Sequence, residues 1–226
     1  MSGYLSLWEQ YGGQMLAAFW GNIQLAFYAA VASLILGLIL ALMRISPVPS
    51  FRWVGTAYVN IIRNTPLTII ITFGVAVLYG VFTWQLSSDF NLNFFQIAIF
   101  GLAIYHAAFF CEAIRAGVNT VPQGQAEAAR AIGLGFFPAA QNIILPQALR
   151  GAITPIGNTL ISLIKNTTVV AAGSVAEVSG LMKTMIEFRP DQGILIFLTI
   201  AMFFVIVVVP VGLLTTYLSK KLAVAR

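Results

Sequence analysis

The side chains able to do chemistry are few in this chain and poorly spaced for it. There is one histidine, His106, one cysteine, Cys111, and seven acidic residues among 226. General acid–base work needs a poised group within hydrogen-bond reach of the reacting centre, and nucleophilic work needs a nucleophile beside its base. No two carboxylates stand at a useful spacing, and zinc, thiol and Ser–His chemistry are equally poorly supported. None of Lys165, Lys183, Lys220 and Lys221 follows a glycine, so the phosphate-cradling loop G-x-x-x-x-G-K-[ST] is missing. No catalytic residue, no metal site and no cofactor are expected in this chain. His106, inside an apolar stretch, reads as a hydrogen-bonded core residue, and Cys111 as packing.

The elements that carry these residues follow from composition. The chain is 59% hydrophobic and only 8% charged, with mean hydropathy +0.91, whereas soluble domains average roughly 25% charged. It is expected to be an integral membrane protein, all-α. A bilayer core of about 30 Å needs about 20 mostly apolar residues per helix. Uncharged runs cover 10–43, 64–88, 90–111 and 192–219, and 151–176 is broken only by Lys165. Five spans are predicted, at about 15–43, 55–82, 94–118, 151–176 and 192–219, in a single transmembrane domain over 1–226. The polar segment 119–150 links the third span to the fourth. Residues 1–13 read as a short external segment, and the first run is too long for a cleaved signal peptide.

The net charge of +5 is not a nucleic-acid signature, because the basic residues sit at span ends. No Lys or Arg precedes Arg44. The positive-inside rule then places the N-terminus outside and Arg44, Arg52, Arg115, Arg130, Arg150, Lys220, Lys221 and Arg226 on the cytoplasmic side, with Lys183 and Arg189 outside.

Polar residues within the spans mark candidate function. Arg63-Asn64-Thr65-Pro66 should kink span two, since proline frees a carbonyl one turn back. Arg63 either meets an anionic substrate group, counters Glu112, or sits at the inner interface. Glu112 and Arg115 are i,i+3 neighbours on one helix face. Span four is the least lipid-like, with Lys165, Asn166, Thr167 and Thr168 in an apolar background. A charge at mid-bilayer costs about 2.5 to 3.5 kcal/mol on insertion scales. Lys165 therefore lines a path where the helix unwinds, or snorkels to an edge while the threonines bond back to their own helix.

The linking segment EAARAIGLGFFPAAQNIILP is built for a handle. Glu127–Ile132 is good helix-forming sequence, Gly133 and Gly135 permit a helix end and turn, and Asn142–Leu145 forms a second short segment stopped by Pro146.

Its pattern is E-A-A-x3-G-x9-I-x-L-P, carried here by Glu127, Ala128, Ala129, Gly133, Ile143, Leu145 and Pro146. This resembles the cytoplasmic loop signature of the membrane subunits of ABC importers. RNTPL in span two, GQAEAARAIGL and LPQALR around the loop, and IKNTTV in span four are similar to the polar amino-acid permease subfamily. The resemblance runs from about Ile23 to Leu218. It implies a type I ABC importer permease in the bacterial inner membrane, working by alternating access. It further implies a second permease subunit, identical or homologous, an external solute-binding protein, and two cytoplasmic ATPase subunits. Those subunits hold ATP and Mg and grip the loop as a coupling helix. Arg63, Asn64, Thr65, Glu112, Lys165, Asn166, Thr167 and Glu177 are the candidate path or gate residues, Glu112 and Glu177 matching positions usually acidic in the subfamily. Overall similarity leans toward glutamate as the solute. The competing class is a secondary carrier or channel driven by an ion gradient, which calls for carboxylates or histidines within the spans; Glu112 and His106 are what the sequence offers.

Overall fold

The computed structural model describes residues 2–222, and no strand occurs among them. Arg226, counted above among the inner charges, lies outside the described residues. Among the described residues ten α-helices run in order: α1 Ser2–Ile45, α2 Pro49–Arg63, α3 Leu67–Phe73, α4 Phe90–Val118, α5 Gln123–Ala131, α6 Phe136–Ala139, α7 Leu145–Gly151, α8 Ile153–Asn166, α9 Val178–Phe188 and α10 Gly193–Lys221. Three helical stretches are long and apolar enough to cross a bilayer: Tyr4–Ile45, Phe90–Val118 and Pro190–Lys221. Counting each of two bent helix pairs as one span brings the total to the predicted five.

The breaks have local causes. Val48 is extended at φ −79°, ψ 115°, and Pro49 opens α2 where its missing N–H costs nothing. Ser46 Oγ accepts from the Val48 amide at 3.2 Å, and Arg52 donates to the carbonyls of Ser46 and Pro47 at 3.1 and 3.2 Å. The chain turns tightly here, where Pro47 and Pro49 stand two residues apart. Span two does not kink at Pro66 but breaks. Asn64 and Thr65 turn their side chains back onto the carbonyls of Asn60 and Ile61, at 2.7 and 2.8 Å. Pro66 is extended at φ −60°, ψ 136°, ahead of α3. The helix then widens into a π-helix over Gly74–Val81.

The chain divides into two compact units, each made of three segments. The first holds Met1–Ala30, Pro66–Ala103 and Ser162–Val209. Its core joins Leu7, Tyr11 and Met15 of α1 to Val178 and Met185 of α9 and Ile196 and Ile200 of α10. Phe19 stacks on Phe203 at 4.9 Å. Residues 1–13 were expected as an external segment and span one from about 15. The described part of that segment, from Ser2, is helix, because Leu7, Tyr11 and Met15 recur every four residues and bury one face. After a break near 176 the chain continues from α8 as α9, bent by 62°.

The second unit holds Val31–Thr65, Ile104–Ile161 and Pro210–Arg226. Leu40 and Ala41 of α1, Val59 of α2, and Ala107, Ala108, Cys111 and Ile114 of α4 form its core. Small residues on α4 let neighbouring backbones come close, the device that packs helices where lipid supplies no hydrophobic drive. Cys111 is fully buried there, as its apolar setting predicted.

Candidate functional site

In the second unit the polar linker folds into a helical elbow. α5 ends in a paired cap: the Gly133 amide donates to the Arg130 carbonyl at 2.9 Å and the Leu134 amide to the Ala129 carbonyl at 3.0 Å. Gly133 sits at φ +84°, the left-handed conformation that such a cap requires of the residue after the helix. The EAA residues divide by face. Glu127 and Ala128 are exposed, while Ala129 is buried.

Beyond the turn, the second segment differs from expectation. It is not a short piece over Asn142–Leu145 stopped by Pro146. Helical structure runs from Phe136 to Gly151 and passes through Pro146. A π-helix over Ala140–Ile144 ends just before the Leu145–Pro146 pair, in the turn ahead of the proline. Its wider register relieves the clash between the ring and the previous turn, so the proline is accommodated rather than terminating the helix. Ile143 and Leu145 are half-buried and Pro146 is exposed. The far end is locked by close approach: a Cβ on Gly117 of α4 would lie 2.1 Å from the Ala148 carbonyl oxygen of α7. The elbow's turn exposes Ile132 at 74% and Phe137 at 63%.

Also in the second unit, three guanidinium groups converge on one carboxylate. Arg44 bonds Glu112 directly, Arg115 approaches it at 3.4 Å and Arg63 at 3.7 Å. Arg63 lies over the Phe109 ring at 5.6 Å. Of the three alternatives for Arg63, the geometry puts it opposite Glu112. Sequence reasoning missed Arg44, whose side chain is only 10% exposed, because it is separated from Glu112 by most of two spans. Replacing Arg63 by Gln should lower stability by under about 1 kcal/mol, since its side chain is 46% exposed and the contact is long. Arg44→Gln should lower it several times more. Unfolding midpoints of the two purified variants test that ordering.

In the first unit, span four changes character where its polar residues cluster. α8 gives way to a 3-10 helix over Thr167–Gly173, Ser174 is left-handed at φ 61°, and Glu177 is extended before α9. Both readings of the threonines hold part of the truth: the helix unwinds here, and Thr167 and Thr168 bond back to the carbonyls of Ile164 and Lys165 at 2.8 and 2.9 Å. Lys165 is exposed and its ammonium has no ion-pair partner among the described residues.

Glu177 is 1% exposed. Its carboxylate caps α9, accepting from the Ser179 and Gly180 amides at 2.8 Å each and from the Ser179 hydroxyl. A negative charge at a helix N-terminus meets both free amides and the positive end of the macrodipole. Asn22, buried in α1, supplies a fourth donor at 3.1 Å and also donates to Thr167 Oγ1 at 2.9 Å. Thr167 and Glu177 are thus brought together by a residue that the sequence did not single out; a lone asparagine inside a long apolar run was the signal available. Beside this cluster opens a cleft of about 700 Å³ with Gln14, Ser174, Glu177 and Thr184 on its walls.

The described residues form a multi-helix chain with several segments able to span a membrane, with buried polar clusters in both units and an elbow bearing exposed apolar side chains. The chain belongs to the family described as binding-protein-dependent transport system inner membrane components, whose model matches residues 33–224. It is 45% identical to the glutamate transport system permease protein GluC of Corynebacterium efficiens, over 98% of this chain and 99% of that one. It is 35% identical to the probable glutamine ABC transporter permease protein GlnM of Bacillus subtilis, over 90% and 91%. Its fold matches a chain in a crystal structure of an amino acid ABC transporter with histidines, at TM-score 0.80 and 24% identity over 96% of this chain and 97% of that one. The fold is that of an ABC importer permease. The chain is a transport subunit and not an enzyme, and family membership sets aside the ion-gradient carrier.

Proposed function

We propose that this chain is the permease through which an ATP-driven importer of the bacterial inner membrane moves a polar amino acid, glutamate foremost. Glutamate is supported by the 45% identity to the GluC permease. The chain forms one transmembrane domain, with its N-terminus outside and its C-terminus in the cytoplasm. It pairs with a second permease, identical or homologous, and receives solute from an external binding protein. ATP and Mg belong to two cytoplasmic ATPase subunits.

The observation that carries the coupling is the elbow. Glu127, Ala128, Gly133, Ile132 and Phe137 are exposed around a turn closed by two backbone bonds, and the following helix is clamped to α4 through Gly117. An ATPase that grips the elbow therefore moves α4 with it, because Gly117 leaves no room for slip. ATP binding draws the elbows of the two permeases together and opens the spans outward; hydrolysis relaxes them inward. Ala129 and the partly buried Ile143 and Leu145 hold the elbow's shape, while Pro146 sits behind the π-helix. Arg63, Asn64 and Thr65 at the break in span two, Glu112, and Lys165, Asn166, Thr167 and Glu177 in span four border the route.

Cysteine placed at exposed Ala128 should crosslink to the co-expressed ATPase subunit and that at buried Ala129 should not; the native Cys111 is buried and silent. Glutamate delivered by its binding protein should stimulate ATP hydrolysis of the reconstituted complex more than glutamine or arginine does. Capture from neither position, or no amino acid stimulating hydrolysis, defeats the reading.

A further inference from the structure

We infer that Asn22 is a positioning residue for transport: its side-chain amide clasps the break in span four to α1, holding Glu177 and the first turn of α9 in the geometry that solute passage requires. The inference rests on the reading of the chain as an importer permease with Glu177 beside the route.

The break itself is weakly held by its own backbone. Ser174 is left-handed, Glu177 is extended, and the helical bond ladder stops between Gly173 and Val178. Stiffness at such a point has to come from side chains. Asn22 supplies it from both ends of one amide. Its Nδ2 donates to Thr167 Oγ1 at 2.9 Å, on the near side of the break, and to Glu177 Oε2 at 3.1 Å, on the far side. Its Oδ1 accepts from the Val178 amide at 3.0 Å, the first residue of α9. Asn22 is 3% exposed and Thr167 is fully buried, so water is not there to replace these bonds. Ser179 ties the same knot from the other direction: its hydroxyl donates to Glu177 and lies 3.1 Å from the Thr168 carbonyl.

The role is specific to an amide. Only a group with a donor and an acceptor on one planar head can satisfy a carboxylate, a hydroxyl and a backbone N–H together. The clasp also stands beside the one cleft of this unit described above, whose walls include Ser174 and Glu177 from the break and Gln14 from α1. Movement of α9 against α1 would reshape that wall.

The test uses the full complex with its ATPase and with glutamate delivered by its binding protein. Asn22→Asp keeps the shape but sets a carboxylate against Glu177; Asn22→Ala removes the clasp without adding charge. At matched membrane levels, Asn22→Asp should lose roughly tenfold or more of glutamate uptake and of the stimulated ATPase rate, as expected for unpaired buried polar groups, while the unstimulated ATPase rate stays near wild type. Adding Glu177→Gln to Asn22→Asp moves the donor across the pair and should restore uptake to within a few-fold of the Glu177→Gln single variant. Asn22→Ala should show the same split between stimulated and unstimulated rates if Asn22→Asp fails to assemble. Wild-type uptake by Asn22→Asp or Asn22→Ala overturns the inference. So does absence of rescue by the swap, or a parallel fall of stimulated and unstimulated rates, which would mark Asn22 as scaffold alone. A wild-type complex stimulated by no amino acid would instead count against the importer reading, and is separately visible in the same assay.

Discussion

Replacing Gly133 by Asp should reduce ATP-coupled uptake at least tenfold while the protein still reaches the membrane at wild-type levels. The reason is conformational. Gly133 sits at φ +84° and a Cβ built there meets nothing within 4 Å, so crowding plays no part. A side chain in that backbone region costs roughly 1–2 kcal/mol, enough to open the two-bond cap on α5. Once the cap opens, the helix beyond the turn loses its fixed angle to Glu127 and Ala128, and work applied at one no longer reaches the other. Gly133→Asn should be tolerated better than Gly133→Ala, because asparagine visits the left-handed region at lower cost. Gly135 is the internal control: it stands at φ −69°, again with nothing near its Cβ, and Gly135→Ala should transport normally. Uptake assays on membranes with matched protein levels decide the matter. Equal behaviour of Gly133→Ala and Gly135→Ala would remove the backbone argument.

The second large effect is at Glu112. Glu112→Gln should lower the stability of the purified protein by about 2–3 kcal/mol, less than for a fully buried ion pair because the carboxylate is 32% exposed. The variant leaves Arg44, Arg63 and Arg115 facing one another without the charge that holds them, and Arg44 is too buried to turn to solvent. For a chain of this length that loss corresponds to a fall of roughly 4–12 °C in unfolding midpoint. Raising salt should narrow the gap in part, since ions screen Arg63 and Arg115, the two partly exposed cations, from one another. A midpoint within a degree of wild type would show that the three arginines are independently solvated.

These two predictions also show where reading the chain succeeds and where it stops. The pair Glu112–Arg115 was legible because i,i+3 spacing on a helix places side chains together whatever the rest of the fold does. Arg44 was not, because it comes from a different span and nothing local reports which helices are neighbours. The turn at Gly133 was legible from glycine placement. That Gly133 needs a positive φ and Gly135 does not depends on how the cap closes, which no spacing rule separates. Pro146 was expected to end a segment, the usual outcome in a helix interior; the π-helix ahead of it reversed that outcome.

Composition and run length by themselves pointed to a chain with several membrane-spanning helices, because desolvating backbone and charge in hydrocarbon is so costly that apolar runs of about 20 residues favour the bilayer. The order of short motifs settled the family for the same kind of reason: the elbow's helix, turn and second helix are local structures written in consecutive residues. Folding alone decided which polar groups meet. Asn22 reaches Glu177 across 155 positions, and Arg44 reaches Glu112 across 68. Contacts of that range depend on the packing of whole helices, a property of shape and volume that a linear pattern of residue types does not contain.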